Sequence, residues 1–252
     1  MKQPDQMRVA LVTGGAGGIG SAISKQLALR GFRVGIGYCS RDYGASTLAN
    51  EIRTLGGTAT AVKLDYTSRT SIRDALDTLE KTFGEPVSIL VNNGAIAQEK
   101  PFDTITDEDW EHMLKVNLQG PFATSQEVLP KMLAQQWGRI INITSIGGQW
   151  GGFNQVHYAA SKAALINFTQ SLAKIYSKNG VASMAIAIGL VATEMSAKEL
   201  DSSAGREKVS NIPAGRLADA NEVAAQILHL CKDESFYLTG QTINMNGGMY
   251  FG

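Results

Sequence analysis

The sequence has few cysteines: 252 residues contain two, Cys39 and Cys231, far apart in the chain. They make neither a metal-ligand spacing nor a disulfide framework, so no metal site is expected. A reduced cytoplasmic chain with two half-buried thiols is the simplest reading. An excess of either charge is also missing, since 23 Lys and Arg balance 23 Asp and Glu. That leaves no electrostatic footprint for nucleic acid or an anionic membrane. No uninterrupted apolar run approaches the roughly 18 residues of a membrane-spanning helix. Met1 to Gln6 is polar and lacks the apolar stretch of a secretory signal. There are no linkers, low-complexity segments or short-period repeats. One α/β domain of about 250 residues is ordinary, so residues 1–252 read as a single domain.

What is present is globular in composition, 44% hydrophobic and 18% charged. Short β-rich runs alternate with helical patterns. Arg8 to Val12, Arg33 to Tyr38, Thr58 to Lys63 and Val87 to Val91 read as the first strands. Arg139 to Thr144, Val181 to Ile188 and Gln241 to Asn244 read as later ones. Helices are expected from the glycines after Val12 to Arg30, over Tyr43 to Leu55 and Ser71 to Phe83, and through Tyr158 to Tyr176. Asp219 and Glu222 have capping-box spacing ahead of Val223, Ile227 and Leu230. The alternation implies βαβ units: a doubly wound Rossmann domain with a parallel sheet of about seven strands and helices on both faces.

Thr13-Gly14-Gly15-Ala16-Gly17-Gly18-Ile19-Gly20 lies between the first strand and the first helix. Glycines there let a turn tighten and let backbone N–H groups and a helix N-terminus approach a pyrophosphate. Further on come Asp65, Asn92-Asn93-Gly94-Ala95, Asn117, Ser145 and Tyr158-Ala159-Ala160-Ser161-Lys162. In that order and spacing the chain resembles the short-chain dehydrogenase/reductase family over nearly its whole length. It departs in Gly94-Ala95, where the family usually reads Ala-Gly, and in Met184 and Ile188, where the family often has Asn and Pro. The lost proline leaves the path of the following loop open. The Cβ moved towards the cofactor wall is expected to be tolerated.

The resemblance implies Asn117, Ser145, Tyr158 and Lys162 as catalytic residues. It implies cofactor contacts from Gly14, Gly17, Gly18, Ile19, Gly20, Tyr38, Ser40, Arg41, Asp65, Tyr66, Asn92, Gly94, Ala95, Tyr158, Lys162, Gly189, Val191 and Thr193. Ser145, Gln155 and Tyr158 are expected to meet substrate. Tyr158 and Lys162 are four apart and share a helix face. A phenol titrates near pH 10, and a neighbouring ammonium is expected to pull Tyr158 down so that it can serve as proton donor. Lys162 would also bind the nicotinamide ribose, Ser145 would hold the substrate oxygen, and Asn117 would hold a water leading to solvent. His157 is expected on another helix face, structural or pocket-lining.

After the second strand come Tyr38-Cys39-Ser40-Arg41, with no acid before Asp42. A guanidinium suits a 2′-phosphate, so NADP(H) is favoured, with NAD(H) as the alternative. Asn154 to Tyr158, Ile212 to Leu217 and the segment from Gly240 to Tyr250 resemble the family's 3-oxoacyl-acyl-carrier-protein reductases. Gly148 to Phe153 and Trp137 to Ile140 resemble its acetoacetyl-coenzyme A reductases. The reading is therefore NADPH-dependent reduction of a 3-oxoacyl thioester. Another alcohol/ketone pair (sugar, polyol or cyclic ketone) is the second reading, and a non-catalytic cofactor-binding protein the third. A carrier protein is acidic, and this chain has Gln135, Gln136 and Asn179 where cations are often found. Lys131, Arg139, Lys174 and Lys178 remain as substitutes. Gln149, Trp150 and Phe153 are expected around the pocket, Trp150 equally at an interface. Assembly as a homotetramer follows from the resemblance, with Phe122 to Met132, Ala163 to Tyr176 and the C-terminal stretch at interfaces.

Overall fold

The first strand, β1 (Val9–Val12), is buried along its whole length. Ala10 and Val12 join the apolar cluster on one face of the sheet, Val9 and Leu11 the cluster on the other. A strand that is apolar on both faces has to be covered twice, which dictates the layering. In the computed structural model, residues 8–40, 42–193 and 203–252 are described. Along the chain follow α1 (Gly18–Leu29), β2 (Arg33–Tyr38), α2 (Asp42–Thr54), β3 (Thr58–Lys63), α3 (Arg69–Phe83) and β4 (Val87–Asn92). Then come α4 (Asp107–Leu114), α5 (Gly120–Ala134), β5 (Gly138–Ser145), the short α6 (Gly147–Trp150), α7 (Val156–Tyr176) and β6 (Val181–Ile188). The chain closes with β7 (Val191–Ala192), α8 (Ser203–Ser210), β8 (Ala218–Asp219), α9 (Ala220–Leu230) and β9 (Thr242–Met245). Seven strands form one sheet in the order β3-β2-β1-β4-β5-β6-β9, and β7 pairs separately with β8. Each pairing within the sheet is parallel.

Ile23 and Leu27 of α1, Ile52 of α2 and Ile227 of α9 cover one face. Ile72 and Leu79 of α3, Val128 and Met132 of α5 and Leu172 of α7 cover the other. Three expected strands coincide with β2, β3 and β6. Helix α3 starts earlier than expected because Ser68 caps it, accepting from the Ser71 amide at 3.2 Å. Helix α4 and the π-helical turn at Lys115–Gln119 had no counterpart in the sequence pattern. The thiols are not both half-buried: Cys39 is exposed in the bend after β2, and Cys231 is enclosed where α9 meets the core.

Arg139 corrects another expectation. It is the second residue of β5, near the end of the strand opposite Ser145, and is 1% exposed, so it cannot serve as a docking cation. Its guanidinium lies 4.4 Å from the Trp137 ring centroid, and that of Arg8 3.6 Å from the same ring. Asp233 accepts from Trp137 Nε1 at 2.8 Å and lies 3.6 Å from Arg139. Burial pushes Asp233 up, but the Trp137 and Arg8 hydrogen bonds outweigh it and hold the carboxyl below its usual range. Asp233→Ala leaves a buried guanidinium with one carboxylate fewer. It is expected to cost about 2 kcal/mol in urea unfolding. Trp137→Phe, which removes only the N–H and part of the ring, should cost about 1 kcal/mol.

Candidate active site

From β1 the chain works outward to β2 and β3, then returns to β4 on the other side of β1. At such a reversal the loops leaving the strand ends part and open a crevice. The glycine turn fills its floor. Gly14 has φ +58, and a Cβ there would come within 2.9 Å of Gly94 Cα. A Cβ at Gly20 would overlap the Gly14 carbonyl oxygen, so α1 sits directly against the turn. The N-cap of α1 is Gly17, with no side chain capping it. The first amides of the helix are thus left for an anion. From the far side Thr193 closes in: a Cβ at Gly18 would be 3.0 Å from Thr193 Cγ2. This narrow, amide-lined slot, open only because its residues lack side chains, fits a dinucleotide pyrophosphate.

The remaining residues of the expected cofactor set divide by position. Gly14, Gly18, Ser40 and Ala95 are exposed on the crevice side of the fold, while Gly17, Ile19, Tyr38, Gly94, Gly189 and Thr193 are half-buried. Arg41 lies outside the described residues. Asp65 folds back on its own turn, accepting from Thr67 N and Oγ1 at 2.8 Å each, which lowers its pKa. Tyr66, Asn92 and Val191 are buried. Ile188 stays in register with both Ser145 and Met245, so β6 continues through the position of the lost proline, while residues 194–202 of the following loop lie outside the described residues. Unlike proline, isoleucine carries the N–H that a central strand needs. The Gly189 amide then donates to Met245 O at 2.8 Å.

Ser145 ends β5, and Tyr158 and Lys162 stand one turn apart on α7. The Ser145 side chain neighbours the Tyr158 phenol and acts on its titration. The Ser145 Oγ accepts from the Gly147 amide at 3.1 Å, which leaves its own hydrogen free to donate. Lys162 is 3% exposed; its Nζ donates to Ile143 O at 2.8 Å and lies 5.6 Å from the Tyr158 ring centroid. Burial lowers Lys162 to about 8. Tyr158 goes against the expectation. Burial raises its pKa, and the Ser145 side chain offsets this only in part. Enclosure of the phenol outweighs an ammonium that is directed at a carbonyl.

Asn117 sits on the π-helical turn, fully buried. It holds Ile96 at both N–H and C=O, at 2.9 Å each, and its Nδ2 is 3.3 Å from Ser161 Oγ. The extra residue of a π turn displaces one side chain from the regular helical face. His157 is fully buried, with Nε2 2.8 Å from Gln98 Oε1. Gln155 Nε2 donates to Glu99 at 3.4 Å. Phe153, expected around the pocket, is 94% exposed. Trp150 packs edge-on against Tyr250, with centroids 6.2 Å apart.

The Lys162 shift sets a stability trend. Its folded pKa of about 8 lies below its ordinary 10.5, so between these values the unfolded chain binds more protons. The native state therefore gains stability as pH rises through that window. Urea unfolding at pH 7 and 10 should show this gain relative to Lys162→Met, and a pH trend identical in the variant would refute it.

The sequence model described as short chain dehydrogenase matches residues 8–204. The chain belongs to the short-chain dehydrogenase family. It is 38% identical over 244 residues to the 3-oxoacyl-[acyl-carrier-protein] reductase FabG of Escherichia coli, covering 96% of this chain and 97% of that one. The Aquifex aeolicus reductase of the same name is 40% identical over 246 residues, covering 97% and 98%. That of Haemophilus influenzae is 35% identical over 245 residues, covering 97% and 99%. As a short-chain dehydrogenase the protein is an oxidoreductase that works with a nicotinamide cofactor. Among the described residues no helix is long and apolar enough to cross a membrane, and no cluster of ligands could hold a metal ion. Sequence reasoning passed over Thr13 and Asn142, both buried polar residues beneath the site, although Thr13 lay within the quoted glycine motif and Asn142 within an expected strand.

Proposed function

We propose that this short-chain dehydrogenase reduces the ketone of a 3-oxoacyl thioester, on acyl-carrier protein or coenzyme A, to the 3-hydroxyacyl thioester with NADPH. The reading rests chiefly on one observation: Tyr158, beside Ser145, with buried Lys162 one turn behind it. The bound cofactor supplies the hydride. Tyr158 gives its proton to the carbonyl oxygen, and its raised pKa keeps that proton in place near neutrality. Ser145 donates a second hydrogen bond to the same oxygen as charge builds there. Lys162, cationic below about pH 8, holds the nicotinamide ribose and stabilises the phenolate left when Tyr158 gives up its proton. Asn117 ties the wall at Ile96 to α7 and holds the water through which the replacement proton arrives. Gln155 guides the acyl chain.

The glycine turn, Tyr38, Ser40, Asp65, the Asn92 to Ala95 wall and Gly189 to Thr193 hold the dinucleotide within one domain, residues 1–252. Arg41 supplies the 2′-phosphate contact, and no acid at the end of β2 favours NAD(H) instead. The names of the E. coli and A. aeolicus relatives support the thioester, and the carrier protein as partner. With Arg139 buried, Lys131, Lys174 and Lys178 remain as its docking cations. Free thiols at Cys39 and Cys231 suit the cytoplasm. Assembly is as a homotetramer. Partly exposed Trp110 and Phe122 line a groove with Leu118 and Phe168 between α4, α5 and α7, an apolar face that a second copy would cover. A monomer by native mass measurement would exclude it.

The test is a panel: acetoacetyl-coenzyme A, a 3-oxoacyl-carrier protein, a sugar, a polyol and a cyclic ketone, each with NADPH and with NADH. Turnover confined to the thioesters and faster with NADPH supports the reading. Turnover only with the others overturns it.

A further inference from the structure

Beneath the crevice runs an unbroken line of buried hydrogen bonds. The amides of Asn93 and Gly94 donate to Thr13 Oγ1 at 3.0 Å each. Thr13 Oγ1 lies 2.5 Å from the Tyr66 hydroxyl, which donates to Asn92 Oδ1 at 3.0 Å. Asn92 Nδ2 donates to Asn142 Oδ1 at 2.8 Å, and Asn142 Nδ2 to Thr169 Oγ1 at 2.9 Å. Thr169 donates to Leu165 O on α7 at 2.8 Å. The Tyr66 hydrogen is committed to Asn92, so from Tyr66 onward the side-chain donors point towards the helix of Tyr158. The single Thr13 hydrogen has two acceptors in reach, the Tyr66 hydroxyl and Val91 O at 3.2 Å. All five side chains are at most 8% exposed. Bonds in such a chain polarise one another where water is excluded.

The Tyr66 ring is as closely confined as its hydroxyl. A Cβ at Gly120, which opens α5 beside the Asn117 turn, would overlap the ring. A Cβ at Gly94 would come within 3.1 Å of ring carbon Cε2 and 3.4 Å of the Gly14 amide. We infer that Tyr66 is a positioning residue for cofactor binding: its hydroxyl ties the glycine turn to the strand ends, and its ring requires glycine rather than alanine at position 94. This accounts for the Gly94-Ala95 order. The inference needs a nicotinamide cofactor but not the thioester substrate.

Tyr66→Phe removes only the hydroxyl, leaving Asn92 Oδ1 short of a buried donor. The dissociation constant for NADPH, read by titrating its fluorescence, should rise about tenfold. The thermal midpoint of the unliganded protein should fall by a few degrees, because the orphaned acceptor weakens the fold itself. A double-mutant cycle then tests the ring. Gly94→Ala should lower both the thermal midpoint of the cofactor-free protein and its NADPH affinity. In a Tyr66→Leu background the same change should cost little. Repeating the titration with NADH separates the inference from the cofactor preference, and the unliganded thermal cycle needs no cofactor. An unchanged dissociation constant in Tyr66→Phe overturns the hydroxyl role. Equal costs of Gly94→Ala in both backgrounds overturn the ring role. Should Tyr66→Leu not fold, Gly94→Ala alone tests the ring: an unchanged thermal midpoint in the cofactor-free protein overturns that role.

Discussion

Tyr158→Phe is expected to lower ketone reduction about a thousandfold while NADPH affinity stays within about twofold. The change deletes one oxygen and keeps the ring, so α7 and the crevice wall retain their packing. What disappears is the proton donor. Ser145 remains, its Oγ still held by the Gly147 amide, and Lys162 remains bonded to Ile143 O. Neither replaces the phenol. The Ser145 hydroxyl is far less acidic, and the Lys162 amine is buried and pointed at the strand. A general acid is commonly worth about 10²–10⁴ in rate, which sets the expected loss. Single-turnover and steady-state rates, measured beside cofactor titration, separate chemistry from binding. A variant that keeps a tenth of wild-type turnover would remove Tyr158 from the donor role.

Gly20→Ala should weaken NADPH binding at least about a hundredfold. The added Cβ would overlap the Gly14 carbonyl oxygen and come within 2.8 Å of Asn93 Nδ2. The turn has no room to retreat. Gly14 O accepts from Gly17 N at 3.1 Å and from Asn93 Nδ2 at 3.2 Å, and Gly15 N is tied to Gly37 O at 2.9 Å. Either α1 moves away from the slot or the slot itself opens, and both spoil the amide geometry around a pyrophosphate. Gly44→Ala is the control, since Gly44 is exposed on α2 and an added Cβ there meets nothing within 4 Å. It should bind NADPH within about threefold of wild type. Equal affinities in the two variants would mean that the pyrophosphate lies elsewhere.

Much of this architecture is legible in the sequence because it follows from periodicity. Strands apolar on both faces, such as Val9–Val12, announce a doubly covered sheet, and helices between them make it parallel. Spacing alone puts Tyr158 and Lys162 on one helix face. Spacing does not carry enclosure. It suggested a depressed Tyr158, whereas burial raises it, and it offered Arg139 to solvent, where the fold seals it against Trp137 and Asp233. The π turn carrying Asn117 breaks the helical repeat, so no regular period reveals it. The order Gly94-Ala95 looks like an irregularity in one dimension. Its cause, the Tyr66 ring, arrives from the end of another strand.

Hydride transfer from NADPH to the C3 ketone of a thioester can be followed directly by isotope transfer. Wild-type protein would be incubated with acetoacetyl-coenzyme A and NADPH carrying deuterium at the transferable C4 position, and the product read by mass spectrometry. One deuterium is expected at C3 of 3-hydroxybutyryl-coenzyme A, with none formed by Tyr158→Phe on the same timescale. NADPH that binds but passes no deuterium to this thioester or to a 3-oxoacyl-carrier protein would contradict hydride transfer to a thioester.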